Sequence, residues 1–387
     1  MSFLILNFVL LFSLVDLHTL SREEPKCNTN AYPPELKDKV SDAYINLDLK
    51  PEDRWKEISM NMKVELLELL QEIKNFTNFI LNGKLFDYID KYLPFIADTL
   101  PDPYGNEIKG IAKVTGIPLG EVVLYNIFYE VFTVCTSIVA QTPGGKIFHA
   151  RNLDFGLFLG WDVTNNTWSL PEVLRPLVRN FYFQRSGKTA YVATGFTGFV
   201  GAVNGVKQGV FSLTMNERFK INGGFVGILE WILGNREAKW TTFLARDVLE
   251  SSSSFEMAYN ALSNKKILAP CYYILGGNST GQGVVITRDR TRSIHPMRMK
   301  QTEAGWYVLQ TNYDHWEAPL IIDDRRTPGK KCMNDMTQKN VGFKGLYNVM
   351  STVPVLNELT SYTVLMQVNT GKVESYRRYC SDPCFPW

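Results

Sequence analysis

Residues 132–156 read Phe132-Thr-Val-Cys135-Thr-Ser-Ile-Val-Ala140, then Gln141-Thr-Pro-Gly-Gly-Lys146, then Ile147-Phe-His-Ala-Arg-Asn-Leu-Asp-Phe-Gly156. Two apolar runs around a Pro-Gly-Gly turn predict a β-hairpin. With the turn centred between Pro143 and Gly144, antiparallel pairing sets Cys135 opposite Asn152 and brings Arg151 and Asp154 beside it. A thiol, a guanidinium and a carboxylate at one strand end make a poor core and a reasonable nucleophile. A cation such as Arg151 favours the reactive thiolate. A carboxylate such as Asp154 can orient a guanidinium, or a proton-carrying group, through hydrogen bonds. The hairpin lacks an obvious base. Nucleophilic cysteines commonly work with histidine. The chain has four, His18, His149, His295 and His315, and only His149 lies on the hairpin. Cutting the chain before Cys135 would supply another base, because a free α-amine has a pKa of ~7.7–8.0.

The 387 residues are 45% hydrophobic with a formal net charge of +2, enough for one large domain or two ordinary ones. Near-neutral charge without a basic run argues against a nucleic-acid partner. Phe3 to Val15 is an apolar stretch of signal-peptide size, too short to span a bilayer, and polar, charged sequence follows it. Cleavage is expected between Val15 and Glu23, so residues 1–20 are read as a signal peptide. A buried N-terminal helix is the other reading. Asn75-Phe-Thr77, Asn165-Asn-Thr167 and Asn278-Ser-Thr280 are N-glycosylation sequons, and three of them beside such a segment support a secretory route. The six cysteines are Cys27, Cys135, Cys271, Cys332, Cys380 and Cys384, most of which should pair in an oxidising compartment. Cys380-Ser-Asp-Pro-Cys384 is compact enough to close a local bridge. The apolar neighbours of Cys271 suggest a buried, inert thiol.

Before Cys135 the pattern is mainly helical after a short strand at Tyr44–Leu49. Apolar spacings of three and four predict helices over Glu52–Leu81, Leu85–Ile96 (ending near Pro101-Asp-Pro103) and Leu119–Phe132. Their apolar stripe is read as packing, with a membrane-resting helix as the other option. After Cys135 strands dominate. Asn180–Gln184 and Thr189–Ala193 flank one predicted turn. Phe199–Val203 and Gly209–Met215 flank another at Asn204-Gly-Val-Lys-Gln208. Helices are expected at Gly227–Leu233, Trp240–Leu249, Ser254–Ser263 and Lys344–Met350. Further strands are expected at Cys271–Leu275, Gly283–Thr287, Trp306–Gln310 and in a hairpin over Tyr362–Tyr379. Strand runs alternating with helix pairs give an α+β fold.

Three later clusters carry polar groups at strand ends: Thr214-Met-Asn-Glu-Arg-Phe219, Thr311-Asn-Tyr-Asp314 and Asp323-Asp-Arg-Arg-Thr-Pro328. Asn312 could donate its amide to a developing oxyanion, a role worth roughly 3–4 kcal/mol in comparable sites. An Asx-turn is the bland alternative.

The blocks Cys135-Thr-Ser-Ile-Val-Ala140 and Arg151-Asn-Leu-Asp-Phe-Gly156, with later blocks, resemble the acid ceramidase family. This is a group of N-terminal-nucleophile hydrolases of the cholylglycine-hydrolase type, related to the acid amidases that cleave N-acylethanolamines. The resemblance covers nearly the whole chain after the signal segment. It implies an αββα four-layer sandwich with a mainly helical N-terminal segment, made as a proenzyme that cuts itself between Val134 and Cys135. Residues 21–134 would be the α fragment and 135–387 the β fragment, the catalytic domain. It implies bridges Cys27–Cys332, tying the fragments together, and Cys380–Cys384, leaving Cys135 free. Arg151, Asp154, Glu217 and Arg325 match the family's motif residues. Asp154 would position the Cys135 amine, Arg151 would hold the charge of the site, and Arg325 would pair with Glu217, while Arg326 would be structural. No cofactor or metal is implied.

The implied activity is hydrolysis of ceramide to a sphingoid base and a fatty acid through a Cys135 thioester. It would take place in the lysosome, with some secretion. The lipid would be met at membrane surfaces, with a saposin-type activator as a partner. An N-acylethanolamine amidase and a silent lipid carrier are the alternatives. The glycine- and aromatic-rich runs Gly195–Gly201 and Ile221–Trp231 could line an acyl groove, with Phe225 and Trp231 as candidates, or could simply allow tight turns. Two features depart from the family. Thr133-Val134 differs from the residues before the cut in some members, and Cys271 has no counterpart in the bridges.

Overall fold

A computed structural model describes residues 25–81, 93–128, 133–155, 161–162, 167–219, 224–381 and 384. The signal segment therefore lies outside the described residues, as do Asn165 and most of the predicted Leu85–Ile96 helix, whose described part, residues 93–96, is helical.

The segment before Cys135 contributes β1 (Asp42–Asn46), α1 (Lys56–Asn61), α2 (Lys63–Leu81), α3 (Tyr104–Thr115) and α4 (Leu119–Phe128). Along α2, Leu66, Leu69, Leu70 and Ile73 are buried on one stripe, as their spacing predicts. The helix α3 is an addition to the expected set. It begins where Pro101-Asp-Pro103 read as an ending, and its Gly110 abuts the Glu52 backbone so closely that a Cβ would collide with it. The predicted Leu119 helix is described as far as Phe128.

The hairpin follows as β2 (Thr133–Gln141) and β3 (Ile147–Phe155). Its loop runs from Thr142 to Lys146, with Gly145 at φ +81°, a left-handed conformation that glycine adopts without strain. The loop is therefore centred on Gly144, and the expected register is off by one: Cys135 faces Leu153, Ser137 faces Arg151 and Val134 faces Asp154. A one-residue slip exchanges the two faces of a strand. Arg151 thus shares the face of Cys135, and Asp154 lies on the opposite face.

The rest of the chain supplies a two-strand ladder β4 (Trp161–Asp162) and β5 (Thr167–Trp168), then α5 (Ser169–Leu174). Four strands come next: β6 (Val178–Arg185), β7 (Lys188–Phe196), β8 (Asn204–Lys207) and β9 (Phe211–Glu217). Residues 204–207, predicted as a turn, form a strand. Asn204 makes the difference, because its side-chain amide bonds both the N–H and the C=O of Thr194. Helices α6 (Gly224–Ile232), α7 (Thr241–Ser251) and α8 (Phe255–Asn264) lead to β10 (Cys271–Gly277), β11 (Gly283–Arg288), β12 (Ser293–Arg298) and β13 (Tyr307–Gln310). Helices α9 (Arg326–Met336) and α10 (Phe343–Met350) precede the closing hairpin β14 (Thr360–Gln367) and β15 (Lys372–Arg377).

Two sheets result, ordered β1-β6-β7-β8-β9-β10-β11-β12 and β13-β2-β3-β14-β15. They stack face to face. Val139 and Ile147 of the smaller sheet meet Tyr272, Ile274 and Val285 of the larger between them. The other face of β2, Ile138 and Ala140, packs on Met333 of α9 and Leu346 and Met350 of α10. Ile108, Phe243, Leu244, Val248 and Leu262, from α3, α7 and α8, join the core on the far side of the larger sheet. This is an αββα sandwich, whose inner layers are both sheets. The parallel pairing of β1 with β6 adds a strand from before Cys135 to the larger sheet. Bridges join Cys27 to Cys332 and Cys380 to Cys384, while Cys135 and Cys271 are free and buried.

Candidate active site

Cys135 lies near the start of β2, fully buried between the sheets, in an uncut chain that runs straight through Val134. Its Sγ accepts a hydrogen bond from Arg151 Nη2 at 2.8 Å, and Arg151 Nη1 is anchored on the Val203 carbonyl at 2.5 Å. The corrected register explains this contact, since it puts both side chains on the face that looks toward the larger sheet. Burial raises the Cys135 thiol above its ordinary value, and Arg151 offsets only part of that rise. Arg151 does favour the thiolate, as the sequence suggested, but it is the smaller effect. In the uncut chain, burial wins.

The backbone of Cys135 is held as firmly as its side chain. Its N–H donates to Asn312 Oδ1 at 2.8 Å, and Arg325 Nη2 donates to the same oxygen at 2.8 Å. Two donors facing one end of the amide identify that end as the oxygen. Asn312 Nδ2 points the other way and donates to the Glu217 carbonyl at 2.8 Å. The amide expected to serve an oxyanion is thus engaged with a main-chain oxygen, and it is the Asn312 oxygen that meets the Cys135 nitrogen. Asn216, one residue before Glu217, fixes the approach to Asn312. Its Nδ2 bonds the carbonyls of Gln310 and Thr311, and its Oδ1 accepts from Ser137 Oγ.

Arg325 departs from expectation in its partner. Its guanidinium bonds Asp323 (2.8 and 3.2 Å), Asp154 (3.3 Å), Thr136 (3.3 Å) and Asn312, and does not pair with Glu217. The reason is topological. Arg325 sits just before α9 on the helix-covered side of the smaller sheet, the side where Asp154 and Thr136 also emerge. Glu217 is contributed there by its main chain, while its side chain is partly exposed at the end of β9.

Asp154 is fully buried. Burial pushes its carboxyl up to about 6, against the pull of Arg325 and a 2.7 Å hydrogen bond from Thr360. His149 is pushed down to about 3, first by burial and then by Arg151. With its ring nitrogens on Ser212 and Thr214 at 2.9 and 3.0 Å, it is a neutral link between the sheets and no base for Cys135. Sequence reasoning missed Thr360, Asp323 and Asn216 as site-forming residues. Asp323 lay in the quoted charge-dense run and Asn216 beside Glu217, but Thr360 gave no local signal.

The other singled-out residues lie elsewhere. Trp231 is buried in helix packing, with Nε1 on Thr99 Oγ1 and its ring edge against Trp240, so it offers no free groove wall. Phe225 belongs to α6, but its side chain falls outside what the structure describes. Asn75 and Asn278 are exposed. Among the described residues no three His, Cys, Asp or Glu side chains converge as a metal site, and no helix is long and apolar enough to cross a membrane.

A buried thiol at the head of a central strand, with its own nitrogen and sulfur each bonded to a fixed polar group, is the layout of an amide hydrolase that uses its N-terminal residue. The chain belongs to the choloylglycine hydrolase family of linear amide C–N hydrolases, whose family model matches residues 135–379. Within that class it is similar over nearly its full length to acid ceramidases. The Homo sapiens protein is 50% identical over 365 residues, covering 93% of this chain and 92% of that one. The Bos taurus protein is 48% identical over 389 residues, covering 99% and 98%. Residues 40–100 match the model for the beta subunit of N-acylethanolamine-hydrolyzing acid amidase. The solved structure of the Caenorhabditis elegans ortholog of that amidase superposes with a TM-score of 0.51 at 29% identity, covering 61% of this chain and 93% of that one.

Proposed function

We propose that this protein is a self-processing lysosomal amidase that hydrolyses ceramide to a sphingoid base and a free fatty acid. One observation carries the chemistry: Arg151 holds the sulfur of Cys135 while Asn312 holds its nitrogen. Near-full-length similarity to acid ceramidases at about half identity supports the substrate.

The reaction begins with the cut between Val134 and Cys135, which separates an α fragment (21–134) from a β fragment (135–387). It turns the Cys135 N–H into an amine. That amine takes the thiol proton as Sγ adds to the substrate carbonyl, and returns it to the departing sphingoid amine. The acyl group is left as a thioester on Cys135. Water then adds to the thioester, releases the fatty acid and restores the thiol. Asn312 Oδ1 keeps the amine beside the sulfur, Arg325 fixes Asn312, and Arg151 stabilises negative charge on Sγ. Asp154 acts through Arg325 and Thr136 on the opposite face of the strand. Lipid would be taken from membrane surfaces, with a saposin-type activator presenting it, and the sequons Asn75, Asn165 and Asn278 would carry glycans on the secretory route.

The second reading is hydrolysis of N-acylethanolamines, favoured by the match over residues 40–100. Purified precursor incubated at acid pH should split into two fragments, the larger beginning at Cys135 by mass spectrometry. The split protein should turn over ceramide faster than an N-acylethanolamine of the same acyl chain. Full activity in an uncut chain would sink the mechanism, and the reverse substrate order would sink the assignment. A silent carrier of the lipid would do neither.

A further inference from the structure

A cavity of about 580 Å³ lies beyond the open edge of the smaller sheet, between β13 and α9. Its size suits a small amphiphile. Its lining combines two chemistries. Trp306, Tyr307 and Leu309 of β13 and its approach supply apolar surface, while Arg326, Lys330 and His315 supply three basic groups.

The basic groups lack a direct carboxylate partner among the described residues. Arg326 is largely buried, and its guanidinium bonds only main-chain carbonyls, those of Asp314 (2.9 Å) and Glu317. Neither Arg326 nor Lys330 forms an ion pair with a carboxylate among the described residues. The nearby carboxylate of the wall, Glu303, is solvent-exposed. His315 Nδ1 is buried without a hydrogen-bond partner. Burial first, and then His295, Arg326 and Lys330, hold the His315 ring below its ordinary pKa against the opposing pull of Asp314. Burial disfavours the Arg326 charge more than the nearby Asp324 and Asp314 carboxylates support it, and Asp314 is already paired with Arg218. An anion entering the cavity would bond the guanidinium directly.

We propose that this cavity is a binding site for a fatty carboxylate, with the carboxylate on Arg326, Lys330 and His315 and the chain along Trp306 and Leu309. None of Cys135, Arg151, Asn312 and Arg325 lines it, and it does not depend on which amide Cys135 attacks. Arg325 and Arg326 are consecutive at the head of α9, one reaching Asn312 and Asp154, the other the cavity. Occupancy would therefore bear on the same helix start that positions the site.

The test uses the full chain carrying Cys135→Ala, titrated with decanoate and with decanol below micelle concentrations. Binding is read by calorimetry and by tryptophan fluorescence. Decanoate should bind at least tenfold more tightly than decanol, and Trp306→Phe should remove the fluorescence change. Lys330→Gln, at an exposed position that tolerates substitution, should weaken decanoate at least tenfold and leave decanol unchanged. Equal affinity for acid and alcohol, or decanoate binding indifferent to Lys330→Gln, would overturn the proposal.

Discussion

At Cys135, the Arg151 guanidinium, with a smaller contribution from Arg325, opposes complete burial. Arg151 lowers the thiol pKa while the sheets around it raise it, and the balance in the uncut chain is a raised value. Removing Arg151 takes away the larger of the two opposing charges and leaves only the weaker pull of Arg325. Arg151→Gln should slow alkylation of Cys135 by iodoacetamide at neutral pH at least tenfold in the cut enzyme, and shift the midpoint of its pH profile upward. Arg151→Lys should fall between the two, because the charge survives but the fork that spans Val203 and Sγ does not. An unchanged profile in Arg151→Gln would show that Arg151 does not set the ionisation. Asp154 makes a second prediction at this scale. Its folded pKa, about 6, lies above the ordinary carboxyl value of ~3.9. The folded state therefore holds the proton more tightly than the unfolded one, and this group's contribution is complete below pH ~4 and lost as pH rises through about 6. Thermal melts of the uncut Cys135→Ala protein should fall between pH 4.5 and 7 more steeply than melts of the same protein carrying Asp154→Asn. Parallel slopes would refute it. The sequence disclosed these residues through composition, since charges at the end of an apolar strand need a reason. It misplaced them by one position because the loop length was inferred from Pro143 and Gly144, and the left-handed turn at Gly145 was not visible in the pattern.

The start of α9 couples two faces of the site, and Asp323 holds it there. Asp323 grips Arg325 through Nε and Nη2, leaving Nη1 for Asp154 and Thr136. Asp323 also adds to the burial that raises the Asp154 carboxyl. Asp323→Asn should lower kcat roughly tenfold, about 1.4 kcal/mol in the barrier, with little change in KM. A merely structural defect would instead reduce the active fraction and leave kcat per active site intact, which titration of the reactive thiol separates. Elements with strong periodicity, such as α2 and the closing hairpin β14–β15, were readable because burial alone specifies them. The elements that carry the site were harder. Helix α9, which follows Arg325, contains Pro328-Gly329 amid charges, a composition that reads as loop. The Asn204-Gly205 pair has the composition of a tight turn, yet tertiary bonds from Asn204 to Thr194 and to Tyr362 make it strand.

Across the whole molecule, the fold is built to survive the cut that its chemistry requires. The peptide link between Val134 and Cys135 lies inside β2, yet residues before it are threaded into the remainder at three places. β1 pairs in parallel with β6, completing an edge of the larger sheet. Cys27 is bridged to Cys332. Deep beneath α3, Glu107 accepts from Arg246 of α7, from Arg54 (3.0 Å) and from Trp55 Nε1 (2.7 Å), with Glu107 and Arg246 fully buried. A buried pair of this kind is a weak source of net stability, but removing one partner strands the other charge at a cost of about 3–5 kcal/mol. The cut and bridge-reduced protein should therefore remain a single particle by size-exclusion chromatography under native conditions. The sheet ladder and the buried ion pair, each formed across the two fragments, hold without the disulfide. Glu107→Leu exposes the dependence: it leaves Arg246 unpaired, and the cut, reduced variant should separate into two species while the cut, oxidised variant does not. If reduction alone disperses the fragments of the unmutated protein, the Cys27–Cys332 bridge is what joins them, and the buried ion pair contributes nothing to their association.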